Sequence, residues 1–206
     1  MNNADIWQCV ERFRTRHTPD LNADKVPLDL LTFIELELKL DVIPLDGLAN
    51  DFSADAAILS DFTGIYIDGE TYDRLDTLPQ WRENRLRFTL AHELGHLILH
   101  RELFESQAIN SKDSLREWLN NHGGEKYRIE KEANEFGGSL LVPIAELTTS
   151  FNKLANALDQ LRGTHGWQND DQLRAKTCEQ IAPRFGVNAQ VIEVRLDRSQ
   201  LWPSIY

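Results

Sequence analysis

The chain predicts an α+β fold: a small mixed sheet in its first third, two long helices in the middle and a helical segment at the end. Three observations carry this. Short apolar runs between residues 41 and 68 are spaced and punctuated as strands. Residues 77–100 and 125–141 are long and regular enough to be helices. Beyond residue 145 the spacing of apolar residues stays helical to the end.

Taken in order, residues 5–17 read as a helix, followed by a turn around Thr18-Pro19-Asp20. Pro27 to Lys39 is rich in Leu, Ile and Phe at mixed helical spacing, and Pro27 suits a first helical turn. Asp41 to Leu45 reads as a short strand, with Pro44 placing it near an edge or strand end. Ala56–Leu59 and Gly64–Asp68 read as strands around a turn at 61–63, and Asp68-Gly69 closes that unit. Thr77-Leu78-Pro79-Gln80 has capping-box spacing, so a helix is expected from there to about His100. The polar stretch 101–124 reads as a loop with one short helix around 115–119. A second strong helix spans about Glu125 to Leu141, stopped by Pro143. The remainder is helical, interrupted by Gly163-Thr164-His165-Gly166.

With 206 residues, 41% hydrophobic and 27% charged, the chain can bury a real core. The expected organisation is an N-terminal helical segment over 1–24, a core over 25–145 and a helical subdomain over 146–206 packed on it. No stretch approaches the roughly 20 apolar residues of a membrane span. The N-terminal residues lack the basic-then-apolar order of a signal peptide. Cys9 and Cys178 fit no paired motif and read as free thiols. The expectation is a cytoplasmic protein.

A net charge of −11 disfavours nucleic-acid binding by bulk electrostatics. Nine acidic residues and one basic one, Arg74, lie between Asp41 and Asp76. They form a solvated acidic surface or a face attractive to a basic partner. Ile181 to Ile192 has some helix-turn-helix spacing, but Pro183 argues against such a unit. Residues 171–206 hold five basic and four acidic residues, so a packing subdomain is expected rather than direct contact with nucleic acid. The terminal Leu201 to Tyr206 is apolar enough to dock on the core.

The chemistry concentrates at His92-Glu93-Leu94-Gly95-His96. Imidazoles four residues apart on a helix lie about 40° apart and one turn along, so both reach one metal ion. Glu93, on the adjoining flank, suits a hydrogen bond to a metal-bound water and the part of general base. A catalytic zinc takes three protein ligands and leaves one position for water. Glu130 and Asn134 share a face of the second helix, so one can ligate while the other hydrogen-bonds a ligand from behind. Glu132 lies about 200° around that helix from Glu130, so only one of the two is a ligand. His100, one turn beyond His96, either approaches the site or caps the helix. Neither cysteine is placed to close the site with a fourth ligand, which favours an open one. Zinc suits these ligand types best, and manganese or iron also fits a His-His-Glu set.

The run Phe88 to His100, joined to Glu132-Ala133-Asn134-Glu135-Phe136-Gly137-Gly138-Ser139-Leu140-Leu141-Val142-Pro143, resembles the ImmA/IrrE-type metallo-endopeptidases. Their second-helix pattern reads approximately E-x-E-A-N-x-F-A-x-x-L-L-M-P; here Gly137 replaces the usual Ala and Val142 the usual Met. The resemblance covers 25–145 well and 145–206 only loosely. It implies a zincin-like core of gluzincin type, with Glu130 as third ligand and Asn134 behind the ligands; Glu132 is the fallback. It also implies a zinc endopeptidase cleaving a protein regulator, a helix-turn-helix repressor that is basic where it meets DNA. The alternative is a catalytically silent zincin-fold protein that regulates a partner by binding. Tyr66, His122, Tyr127 and His165 are candidate oxyanion donors, and Gly64–Asp68 is the candidate strand edge for substrate.

Overall fold

The computed structural model describes residues 1–17, 26–59, 61–107, 113–114, 116–117, 123–162 and 171–202. The expected turns at 18–20 and 163–166, and most of the short helix at 115–119, lie outside them. Helix α1 (Asn3–His17) turns a stripe of Ile6, Val10 and Phe13 inward. The next helix is opened by Asp29, not Pro27. The Asp29 carboxylate accepts from the Thr32 amide at 3.2 Å and its hydroxyl at 2.8 Å. Helix α2 (Leu30–Thr32) therefore starts later than expected, and it passes into a π-helical turn at Phe33–Glu37.

Among the described residues the sheet has three strands, β1 (Asp41–Leu45), β2 (Ala56–Ile58) and β3 (Gly64–Asp68), in the order β1-β3-β2. β1 runs parallel to β3, and β2 antiparallel. Between β1 and β2 the chain forms a short helix, α3 (Leu48–Phe52), which the sequence reading missed. The order overturns one expectation: Gly64–Asp68 is the central strand, with Ile65 and Ile67 wholly buried. The edges are β1, as Pro44 foretold, and β2.

Asp68 then caps α4 (Gly69–Asp73), accepting from the Thr71 amide and hydroxyl and from the Ala49 amide. Burial works to raise its carboxyl, but these donors and Arg82 outweigh that and hold it below the usual carboxylate range. Part of the acidic tract thus serves the fold: Asp61 holds the Thr63 turn and Asp55 pairs with Arg85 at 2.6 Å.

Helix α5 (Gln80–Leu99) begins behind Pro79, not at a capping box. The Thr77 hydroxyl donates to the Arg74 carbonyl, and the Gln80 side chain to Glu83 and Asn84. α6 (Arg101–Gln107) follows at once, where a loop was expected. Then come α7 (Gly124–Leu141), α8 (Ile144–Arg162), α9 (Asp171–Phe185) and α10 (Ala189–Arg198). Pro183 sits in the last turn of α9, where the helix ends anyway at Gly186 with φ +60°. Trp202 is buried against Phe151, while 203–206 of the segment expected to dock lie outside the described residues.

α5 and α7 form the most extensive helix pair. Two glycines let them approach. A Cβ on Gly95 would meet the Ala133 Cα and carbonyl at 3.0 Å, and one on Gly137 the His92 amide nitrogen at 3.0 Å. Position 95 faces 133 while 91 and 92 face 137, so the helices run antiparallel. On its other side α7 packs on α1 and α10. Among the described residues no helix is long and apolar enough to cross a membrane.

Candidate metal centre

The close α5–α7 crossing brings His92, His96 and Glu130 together, with one ligand atom of each within 4.8 Å of the others. His92 Nε2 and His96 Nε2 are 2.9 Å apart. Glu130 Oε2 lies 3.2 Å from the first and Oε1 3.7 Å from the second. A tetrahedral zinc with bonds of 2.0–2.1 Å spaces its ligand atoms about 3.3 Å apart. The triangle has the right size, and the donors are the right kind.

The electrostatics point the same way. Two imidazole nitrogens and a carboxylate oxygen converge, so the cluster calls for positive charge at its centre. His92 supplies some as a proton: burial opposes it, but Glu130, Glu93 and Asn134 together raise its pKa. Burial drives His96 well below its ordinary value, leaving it neutral, and Glu130 stays below the usual range because His92 and Lys126 outweigh its burial. A divalent cation held by His92, His96 and Glu130 would supply more positive charge there than a single proton does. The donor set fits such an ion.

Each imidazole is held from behind. His92 Nδ1 meets Asn134 Oδ1 at 3.0 Å. His96 Nδ1 meets His100 Nδ1 at 3.1 Å, and His100 Nε2 meets Glu132 Oε2 at 2.9 Å. The Phe104 ring packs on His96 with centroids 4.9 Å apart. Glu132 also contacts Arg128 and the Met1 amino group. It therefore faces away from the triangle, and the fallback ligand is set aside on geometry. Burial acts to raise the Glu132 carboxyl, but these partners hold it below the usual range.

Glu93 lies beside the triangle, and its Oε2 accepts from the Ile58 amide of β2 at 2.8 Å. Burial, against the pull of His92 and that amide, pushes its carboxyl up to about 7. A carboxyl poised near neutrality is what a general base needs. The cleft over it, about 270 Å³, is walled by residues 53–58 of the β2 segment and by Arg85, Phe88 and Thr89 of α5.

Of the proposed oxyanion donors, Tyr127 is exposed under Lys131 and Tyr66 sits on the central strand; neither lines the cleft. His122 and His165 are outside the described residues. Sequence reasoning missed the β2 anchor, since a backbone amide leaves no trace in residue identity. The His100 link had a signal in the third histidine at four-residue spacing.

A small mixed sheet against antiparallel helices that share a His-His-Glu cluster is the zincin-like arrangement. The chain belongs to the peptidase family of the IrrE N-terminal-like domain, whose model matches residues 79–197. Among solved structures, a Mycobacterium tuberculosis transcriptional regulator is similar over 94% of this chain, at 18% identity and a TM-score of 0.48. This chain spans only 55% of that regulator's length. No curated protein matches it.

Proposed function

We propose that the chain is a zinc-dependent endopeptidase that cleaves a protein regulator, a helix-turn-helix repressor with a basic DNA-binding face. The observation that carries this reading is Glu93, tethered by the Ile58 amide beside a triangle of metal-type donors. His92, His96 and Glu130 would hold the ion. Zinc bound there supplies Lewis acidity toward a peptide carbonyl and makes a nearby water more acidic. Glu93 takes a proton from the attacking water and returns it to the leaving nitrogen. Asn134 keeps the His92 ring oriented throughout.

The substrate backbone has an edge to pair with. Asp55 O accepts from Asp68 N and Leu59 N donates to Gly64 O, so odd positions of the β2 segment bond inward to β3. Even positions face the cleft: the Ile58 amide holds Glu93, and Ala56 presents its amide and carbonyl to an added strand. An acidic 41–76 segment flanking this edge suits a basic peptide.

The test is a terminus survey of a proteome incubated with the zinc-loaded chain or with Glu93→Gln. New N-termini inside basic helix-turn-helix proteins, absent with the variant, are expected. Equal cleavage by both proteins would defeat the mechanism, and no new termini with either would defeat the activity.

A further inference from the structure

We propose that His100 and Glu132 are positioning residues that set which nitrogen of His96 carries its hydrogen, keeping Nε2 bare toward the metal. This rests on the metal reading above and adds two residues outside the His92-His96-Glu130 set.

The chain of contacts leaves little choice. A carboxylate only accepts hydrogen bonds, so His100 Nε2, 2.9 Å from Glu132 Oε2, carries a hydrogen. A neutral His100 then has a bare Nδ1, which only accepts. His96 Nδ1, 3.1 Å away, must be the donor. The one hydrogen of neutral His96 is thereby fixed on Nδ1, and Nε2 presents its lone pair to the triangle. Reversing any link, for example with a donor in place of Glu132, would turn His96 to the tautomer that cannot ligate. The path is sheltered, with the side chains of His96, His100 and Glu132 exposed by only 4%, 6% and 6%.

The two ligand histidines are thus served from the same helix by different means. Asn134 reaches His92 directly. Glu132 lies on another face of α7 and needs His100, at the C-terminal end of α5, to reach His96. Such outer partners fix ring orientation as well as tautomer, and losing one weakens metal binding about 10–100-fold.

Zinc affinity and ring protonation are the readouts, so turnover is not needed. In chelator competition, His100→Phe keeps the ring bulk but offers no acceptor, and should bind zinc about 10–100-fold more weakly. His100→Asn places an amide oxygen where Nδ1 stood and should recover most of that loss. A role in packing alone predicts the reverse order. Nitrogen NMR of the zinc-free wild type should find the His96 hydrogen on Nδ1. A hydrogen on Nε2 overturns the proposal, as does His100→Phe with wild-type affinity. If His100→Phe does not fold, the wild-type ring spectrum decides. A wild type that takes up no zinc defeats the metal reading, while the ring spectrum still judges His100.

Discussion

Helix α7 carries two carboxylate clusters on different faces, one around buried Glu135 and one around half-buried Glu130, and they are finished in opposite ways. Toward α1 and α10, Glu135 accepts from Trp7 Nε1 at 2.5 Å and from Arg195 at 3.1 Å, with Arg198 at 3.7 Å. Arg195 is 3% exposed, also donates to the Val142 carbonyl and lies over the Trp7 ring. A guanidinium closes that cluster. Toward α5, Glu130 meets two imidazoles whose other nitrogens are already engaged. One carboxylate is matched by a resident cation and ties three helices together; the other is arranged around a place for a cation. On one helix, the first is architecture and the second is the candidate metal site.

The largest effect expected from breaking this contrast is at Glu93. Glu93→Gln should keep its zinc and lose about 10²–10⁴-fold in cleavage rate, since it removes a base and leaves the ligands. Turnover on a substrate found by the terminus survey and metal content, measured together, check it. On the closed face, Arg195→Ala should cost about 3–5 kcal/mol of stability by leaving the Glu135 charge buried without its main partner. Replacing Glu135 and Arg195 together with apolar residues of similar size should cost far less. Denaturant melts separate the two, and the folded fraction of either should bind zinc normally.

Gly95→Ala attacks the crossing that both faces share. Its Cβ would press on the Ala133 backbone and on Phe136 Cβ at 3.2 Å, for an expected loss of about 1–3 kcal/mol with weaker zinc binding. Asp68→Asn lies away from both clusters and has the smallest effect, about 1–2 kcal/mol at neutral pH. Its sign with pH is definite. A carboxyl held below its ordinary value contributes stability that is complete above about pH 4 and is lost as pH falls through the folded value. The gap between wild type and Asp68→Asn should therefore close in acid, as urea melts at several pH values will show.

The sequence announced the open face better than the closed one. Four-residue spacing placed His92 with His96 and Glu130 with Asn134, because a helix face follows directly from spacing. Spacing also ruled that Glu130 and Glu132 do not both ligate, but it took the actual α5–α7 crossing to turn Glu130 toward the imidazoles and Glu132 toward His100. Strand order was not legible. Three short runs admit several orders, and the place of Gly64–Asp68 just before the ligand helix made it look like an edge. The Glu135, Arg195 and Trp7 junction joins residues up to 188 positions apart, and no local pattern links them. Helix starts were misread near prolines: Asp29, not Pro27, opens α2, and α5 begins behind Pro79 with no side-chain cap instead of at Thr77.

Elemental analysis of zinc in the wild type, Glu130→Ala and Glu135→Ala, prepared without chelators, tests the contrast most directly. About one zinc per wild-type chain, little in Glu130→Ala and a full complement in folded Glu135→Ala is the result this account predicts. Zinc retained in Glu130→Ala, or absent from a wild type supplied with it, would contradict it.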